Sequence, residues 1–101
     1  MQTTDPLDYS DARSKEGIEP LYRVLIHNDD ATPYHYVIAV LMVTFNLSHE
    51  LAEHVTHVAH TKGTARVIIR PRRDAEMLVH RAHAAAKTDG YPLTFSLEPD
   101  E

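Results

Sequence analysis

The chain changes structure abruptly near its start. An apolar run, Tyr22 to His27, meets Asn28-Asp29-Asp30, and Thr32-Pro33 comes immediately after. Three small polar side chains in succession end a strand, because they favour turns over a sheet ladder. Thr32 is a good helix N-cap, and Pro33 suits the first helical position, where its missing N–H costs nothing. A strand, a tight polar turn and a helix of fixed starting point are therefore dictated within about a dozen residues. The turn can simply cap itself, or its oxygens can accept hydrogen bonds from a ligand that donates several.

The remaining elements can be read outward from that junction. Leu21 to His27 reads as a strand, with Val24 and Ile26 alternating against Arg23 and Leu25. A helix runs from Pro33 to about Phe45, with Tyr34, Val37, Ile38, Leu41 and Phe45 as its buried stripe. Asn46-Leu47 breaks it. Ser48 caps a second helix that carries Glu50 in its first turn, at the positive end of the dipole. Leu51, Ala52, Val55, Val58 and Ala59 form its apolar face, and Gly63 is a left-handed stop. Ala65 to Ile69 is a second strand ending at Pro71. A third helix spans about Arg72 to Thr88, with Ala75, Leu78, Val79, Ala82 and Ala86 inward, and Gly90 and Pro92 end it. Leu93 to Glu98 is a third strand. The order β-α-α-β-α-β predicts an α+β fold, a three-stranded antiparallel sheet with three helices packed on one face.

At 101 residues there is room for one domain and one modest core. Residues 1–20 read as a flexible extension, with five acids against Arg13 and Lys15 and no apolar period, leaving 21–101 as the core domain. No apolar run approaches the roughly 20 residues that span a bilayer, and nothing at the start reads as a secretory signal or transit peptide. A cytoplasmic protein without membrane association is expected. With no cysteine there is no disulfide framework, thiolate metal site or Cys nucleophile. A net charge of −5 argues against general nucleic-acid binding.

Eight histidines are the unusual part of the composition. His54, His57 and His60 recur every three residues on the second helix, so neighbours lie about 60° apart around it and the outer pair about 120°. Two of these could share a metal, but three would need help from His80 and His83. Surface histidines are the favoured reading, with no metal site and no cofactor. His49 and His54 are five apart, not the four of a zinc-protease helix. His60 differs by position: buried beside Asn28 and Asp30, it would serve as a neutral acceptor. Its alternative is an ordinary core histidine. No nucleophile elbow is present and Ser48 is taken as a cap, so catalysis is not expected. Arg66, Arg70, Arg72 and Arg73 around Pro71 read as a solvated face or a docking rim, since no aromatics alternate with them.

Taken in order, Asn28-Asp29-Asp30-x-Thr32-Pro33, Val37-Ile38-x-Val40-Leu41, His60 with Gly63, Ala75-Glu76 and Tyr91-Pro92-Leu93-x-x-x-Leu97-Glu98 resemble the ClpS family, adaptors of the bacterial Clp protease. The resemblance spans about residues 21 to 98. It implies a non-enzymatic adaptor that binds the free, bulky hydrophobic N-terminal residue of a substrate protein (an N-degron) and delivers it to a Clp AAA+ ATPase, ClpA- or ClpC-like. It implies that Asn28, Asp30 and His60 contact the α-amine, with Asp29 at the entrance. The implied hydrophobic pocket comprises Ile26, Thr32, Pro33, Tyr34, Val37, Thr56, Ala59 and Leu93. ATPase docking maps to Arg73, Glu76 and Leu78, and the N-terminal extension assists delivery. The chain departs from the family where Tyr34 replaces the usual Met, Thr56 and Ala59 replace Met and Val, His35 replaces an acid, and Arg73 and Leu78 replace Glu and Lys. The alternative function is an interaction module of the same fold, like the C-terminal domain of the ribosomal stalk protein, without N-degron binding.

Overall fold

The computed structural model describes residues 19–100. The expected flexible extension, residues 1–20, lies outside the described residues except for its last two. Glu19 faces Arg73 at 4.0 Å, and the Pro20 carbonyl accepts the Arg72 N–H at 3.1 Å.

Six elements occur in the expected order: β1 (Leu21–His27), α1 (Tyr34–Val43), α2 (His49–Lys62), β2 (Thr64–Pro71), α3 (Arg72–Asp89) and β3 (Thr94–Pro99). The sheet is antiparallel, with β1 in the centre and strand order β2-β1-β3. Alternation on β1 buries Val24 and Ile26 completely or nearly so. Together with Val67, Leu41, Val55, Ala75 and Phe95 they form the core. The register to β2 shifts between Val24 and Leu25, whose partners are Ile68 and Arg66, so Val67 is the extra residue of a bulge and is buried in the core. On the other face Arg23 bonds Glu98 (2.7 Å) and Asp100 (2.9 Å). These charge-assisted partners, Glu98 foremost, hold the guanidinium pKa above its ordinary value.

Helix ends show where local chemistry decided the outcome. Ser48 caps α2 through its hydroxyl, which accepts the Leu51 N–H at 3.1 Å. At the end of α1, Asn46 takes φ 58°, and the Leu47 N–H reaches back to the Leu41 carbonyl at 3.2 Å. That return spans six residues, one more than the 6→1 bond of a Schellman end, so the chain leaves α1 by a wider turn. Gly63 ends α2 at φ 93° and ψ −30°, a positive φ outside the left-handed helical region expected of it. Gly90 adopts the left-handed conformation at the end of α3.

Three expectations are corrected. Thr32 is not the cap of α1. Pro33 holds that place in an extended conformation, and its carbonyl accepts the Tyr36 and Val37 N–H groups. Tyr34 does not belong to the buried stripe, being 40% exposed, while Val40 is buried in the core. On α2, Leu51 is exposed at 45% and Thr56 is buried at 3%. Thr56 tolerates burial because its hydroxyl donates to the Ala52 carbonyl at 2.7 Å.

Candidate functional site

The end of β1 carries the chain into the site. Ile26 packs inward, and the Asn28 N–H then donates to the Gly63 carbonyl at 2.9 Å, tying the turn to the end of α2. Asp29 organises the turn that leads into α1. Its Oδ1 accepts the N–H groups of Ala31 (2.8 Å) and Thr32 (2.7 Å), and its Oδ2 accepts the Thr32 hydroxyl (2.9 Å). This is why Thr32 does not cap α1: its hydroxyl is turned back to Asp29. Partial burial would push the Asp29 pKa up. The three hydrogen bonds outweigh that, Thr32 contributing two of them, and hold the carboxyl below its ordinary value. Asp29 is thus an ionised brace that sets where α1 begins.

Between this turn, the first turns of α1, the last turns of α2 and the residue before β3 lies a cavity of about 170 Å³. Ile26, Val37, Thr56, Ala59 and Leu93 supply its buried walls. Asn28, Asp30, Tyr34 and His60 line it from exposed positions, so it is apolar inside and polar at the opening. An apolar cavity of about 150 Å³ suffices for a benzene ring, so this space matches one large side chain. The Tyr34 and His60 rings meet edge to face at the opening, with centroids 5.9 Å apart and planes at 84°.

The structure brings Asn28, Asp29, Asp30, His60, Ile26, Thr32, Tyr34, Val37, Thr56, Ala59 and Leu93 to this one cavity. Pro33 is not among the lining residues. It is half-buried and acts as the α1 cap. His60 is exposed rather than buried, because it occupies the last turn of α2 at the cavity edge. His27 lines the cavity too and went unnoticed in the sequence, where it reads as the last residue of a strand. Its Nε2 lies 2.7 Å from the Ser96 hydroxyl. Two residues of the docking set lie exposed on α3, where Arg73 faces Glu19 and Glu76 pairs with Arg72, while Leu78 is half-buried against the core. Arg72 comes directly after Pro71, the partner of Leu21, whereas the cavity adjoins His27 at the other end of β1. The two regions are therefore about 20 Å apart along the strand. Among the described residues, no three His, Asp or Glu side chains are grouped to hold a metal ion, and no helix is long and apolar enough to cross a membrane.

Comparison with known proteins gives a consistent result. Residues 18–96 match the family model of the ATP-dependent Clp protease adaptor protein ClpS. ATP-dependent Clp protease adapter protein ClpS 2 of Mesorhizobium japonicum is 41% identical over 81 residues, covering 80% of each chain. ClpS 1 of Rhodopseudomonas palustris is 34% identical over 103 residues, covering both chains in full. Among solved structures, Agrobacterium tumefaciens ClpS2 bound to L-phenylalaninamide superposes with a TM-score of 0.78 at 36% identity, covering 81% of this chain and 99% of that one.

Proposed function

The chain belongs to the ClpS family of Clp protease adaptors, and on that premise we propose that it captures proteins by an unblocked, bulky hydrophobic first residue and delivers them to a Clp AAA+ ATPase. The observation that carries this reading is the cavity itself. An apolar space of about 170 Å³, the size of one large side chain, opens past Asn28, Asp30 and His60. An α-ammonium offers three donors and a positive charge. The Asn28 amide oxygen, the Asp30 carboxylate and an imidazole nitrogen of His60 are the acceptors assigned to it, with Asp29 bracing the entrance. The first side chain enters between Ile26, Val37, Thr56, Ala59 and Leu93.

The energies suit a readily reversible carrier. Burying a Leu or Phe side chain contributes about 1.5–3 kcal/mol, and charge-assisted hydrogen bonds add amounts of the same order. L-phenylalaninamide, the ligand of the Agrobacterium relative, combines a free α-amine with a phenyl side chain, the two features this cavity is suited to receive. The ATPase, of the ClpA or ClpC type, is assigned to Arg73, Glu76 and Leu78 on α3, far enough from the cavity for cargo and ATPase to be held together. The adaptor reading carries a cytoplasmic setting and no chemistry of its own.

Peptides differing only at the first residue and its blocking test this reading. A peptide beginning with free Phe should bind, and its N-acetylated form should not, because acetylation removes the charge and two of the three donors. Equal affinity for the two would end the proposal.

A further inference from the structure

The edge-to-face contact between Tyr34 and His60 links two parts of the site that otherwise have separate tasks. His60 lies exposed on the last turn of α2. Two other histidines are steered by hydrogen bonds, His27 beside Ser96 and His83 accepting the Phe95 N–H at 2.9 Å. Among the described residues no hydrogen bond orients the His60 ring, and the Tyr34 ring at 5.9 Å and 84° is the aromatic contact it makes. Tyr34 is well placed for such a role. It is the first residue of α1, directly after Pro33, and the Asp29 brace fixes that start through Thr32.

We infer that Tyr34 is a positioning residue for His60: its ring holds the imidazole in the orientation that accepts from the bound α-amine, so the aromatic ring at the cavity opening and the amine clamp work as one unit. The inference rests on the proposed function of the cavity. A quadrupolar edge-to-face pair has a preferred angle as well as a preferred distance, so an aromatic ring can orient His60 where an aliphatic side chain of similar bulk cannot. Amine recognition in this chain then depends on a residue that need not touch the amine.

The test measures amine selectivity, the ratio of affinities for a free and an acetylated Phe-first peptide, in Tyr34→Phe, Tyr34→Leu, His60→Ala and the double variant Tyr34→Leu/His60→Ala. Tyr34→Phe should keep the wild-type ratio. Tyr34→Leu should lower it by about two- to tenfold, the range expected for loss of an aromatic pair. In the His60→Ala background, Tyr34→Leu should change the ratio no further. An independent readout needs no peptide: the carbon-bound ring protons of His60 should lose their ring-current shift in Tyr34→Leu and retain it in Tyr34→Phe. Wild-type selectivity in Tyr34→Leu, or equal effects of Tyr34→Leu with and without His60, would overturn the inference while leaving the proposed function intact. Absence of selectivity in the wild type would overturn both.

Discussion

Asp29→Ala removes the brace of the site without touching the core. Three hydrogen bonds are lost at once, from the Ala31 N–H, the Thr32 N–H and the Thr32 hydroxyl, at 2.8, 2.7 and 2.9 Å. At about 0.5–1.5 kcal/mol net for each, the gross loss is about 1.5–4.5 kcal/mol. Water competes for a carboxylate that is only partly buried, which reduces the effect to about 1–2 kcal/mol. Most of this should appear in binding. A turn that is no longer latched must be ordered when the peptide arrives, and the core that governs melting is unchanged. Affinity for a Phe-first peptide should fall about 5- to 30-fold, with melting lowered by less than about 8 °C. Asp29→Asn should recover much of the loss, because an amide oxygen still accepts both N–H groups. The pH dependence has a definite sign. The folded carboxyl titrates below the ordinary value of 3.8, so its contribution is complete above that pH and is lost as pH falls through the lower folded value. The stability difference between wild type and Asp29→Asn should therefore be constant from pH 7 to about 4 and shrink only below it. Fluorescence-anisotropy titrations and thermal melts decide the matter. Affinity within twofold of wild type for Asp29→Ala would refute the reasoning.

Three further outcomes are expected. Ala59→Leu projects three extra carbons into the cavity wall and should reduce capture of Phe-first peptides by more than about tenfold while the circular dichroism spectrum is retained; undiminished binding would mean the first side chain goes elsewhere. Gly63→Ala meets no steric obstacle, yet it forces a residue with a Cβ to φ 93°. It should cost about 1–2 kcal/mol in denaturant melts and also weaken capture, since the Gly63 carbonyl anchors Asn28. Tyr36 donates to Asp89 across α1 and α3; burial first, and then that partner, push its pKa up to about 12. Such a raised pKa gives stability that is complete below the unfolded value near 10 and lost as pH rises through about 12, so the advantage of wild type over Tyr36→Phe in urea melts should be flat to pH 10 and disappear by pH 12.

Local chemistry settled a large part of this protein before any tertiary contact formed. The alternation of Val24 and Ile26, the break at Asn46, the cap at Ser48 and the positive-φ glycines 63 and 90 act over a few residues, and each does in the structure the job its type suggests. The order of elements and the antiparallel sheet come from them, as does the location of a polar turn against an apolar helix face. Tertiary structure decided what each polar group does there. Thr32 has the composition of a cap, but Asp29 draws its hydroxyl away. Thr56 and Leu51 lie on the same helix, and it is the polar one that is buried, because a backbone carbonyl one turn back satisfies its hydroxyl while Leu51 lies on the solvent side. The bulge opposite Val24 and Leu25, the pairing of His27 with Ser96 and the meeting of Tyr34 with His60 join residues distant in the chain. Capping, turns and periodicity depend on near neighbours and are written locally. Burial, hydrogen-bond partners and ring orientation depend on which distant segment arrives alongside, and packing alone determines that.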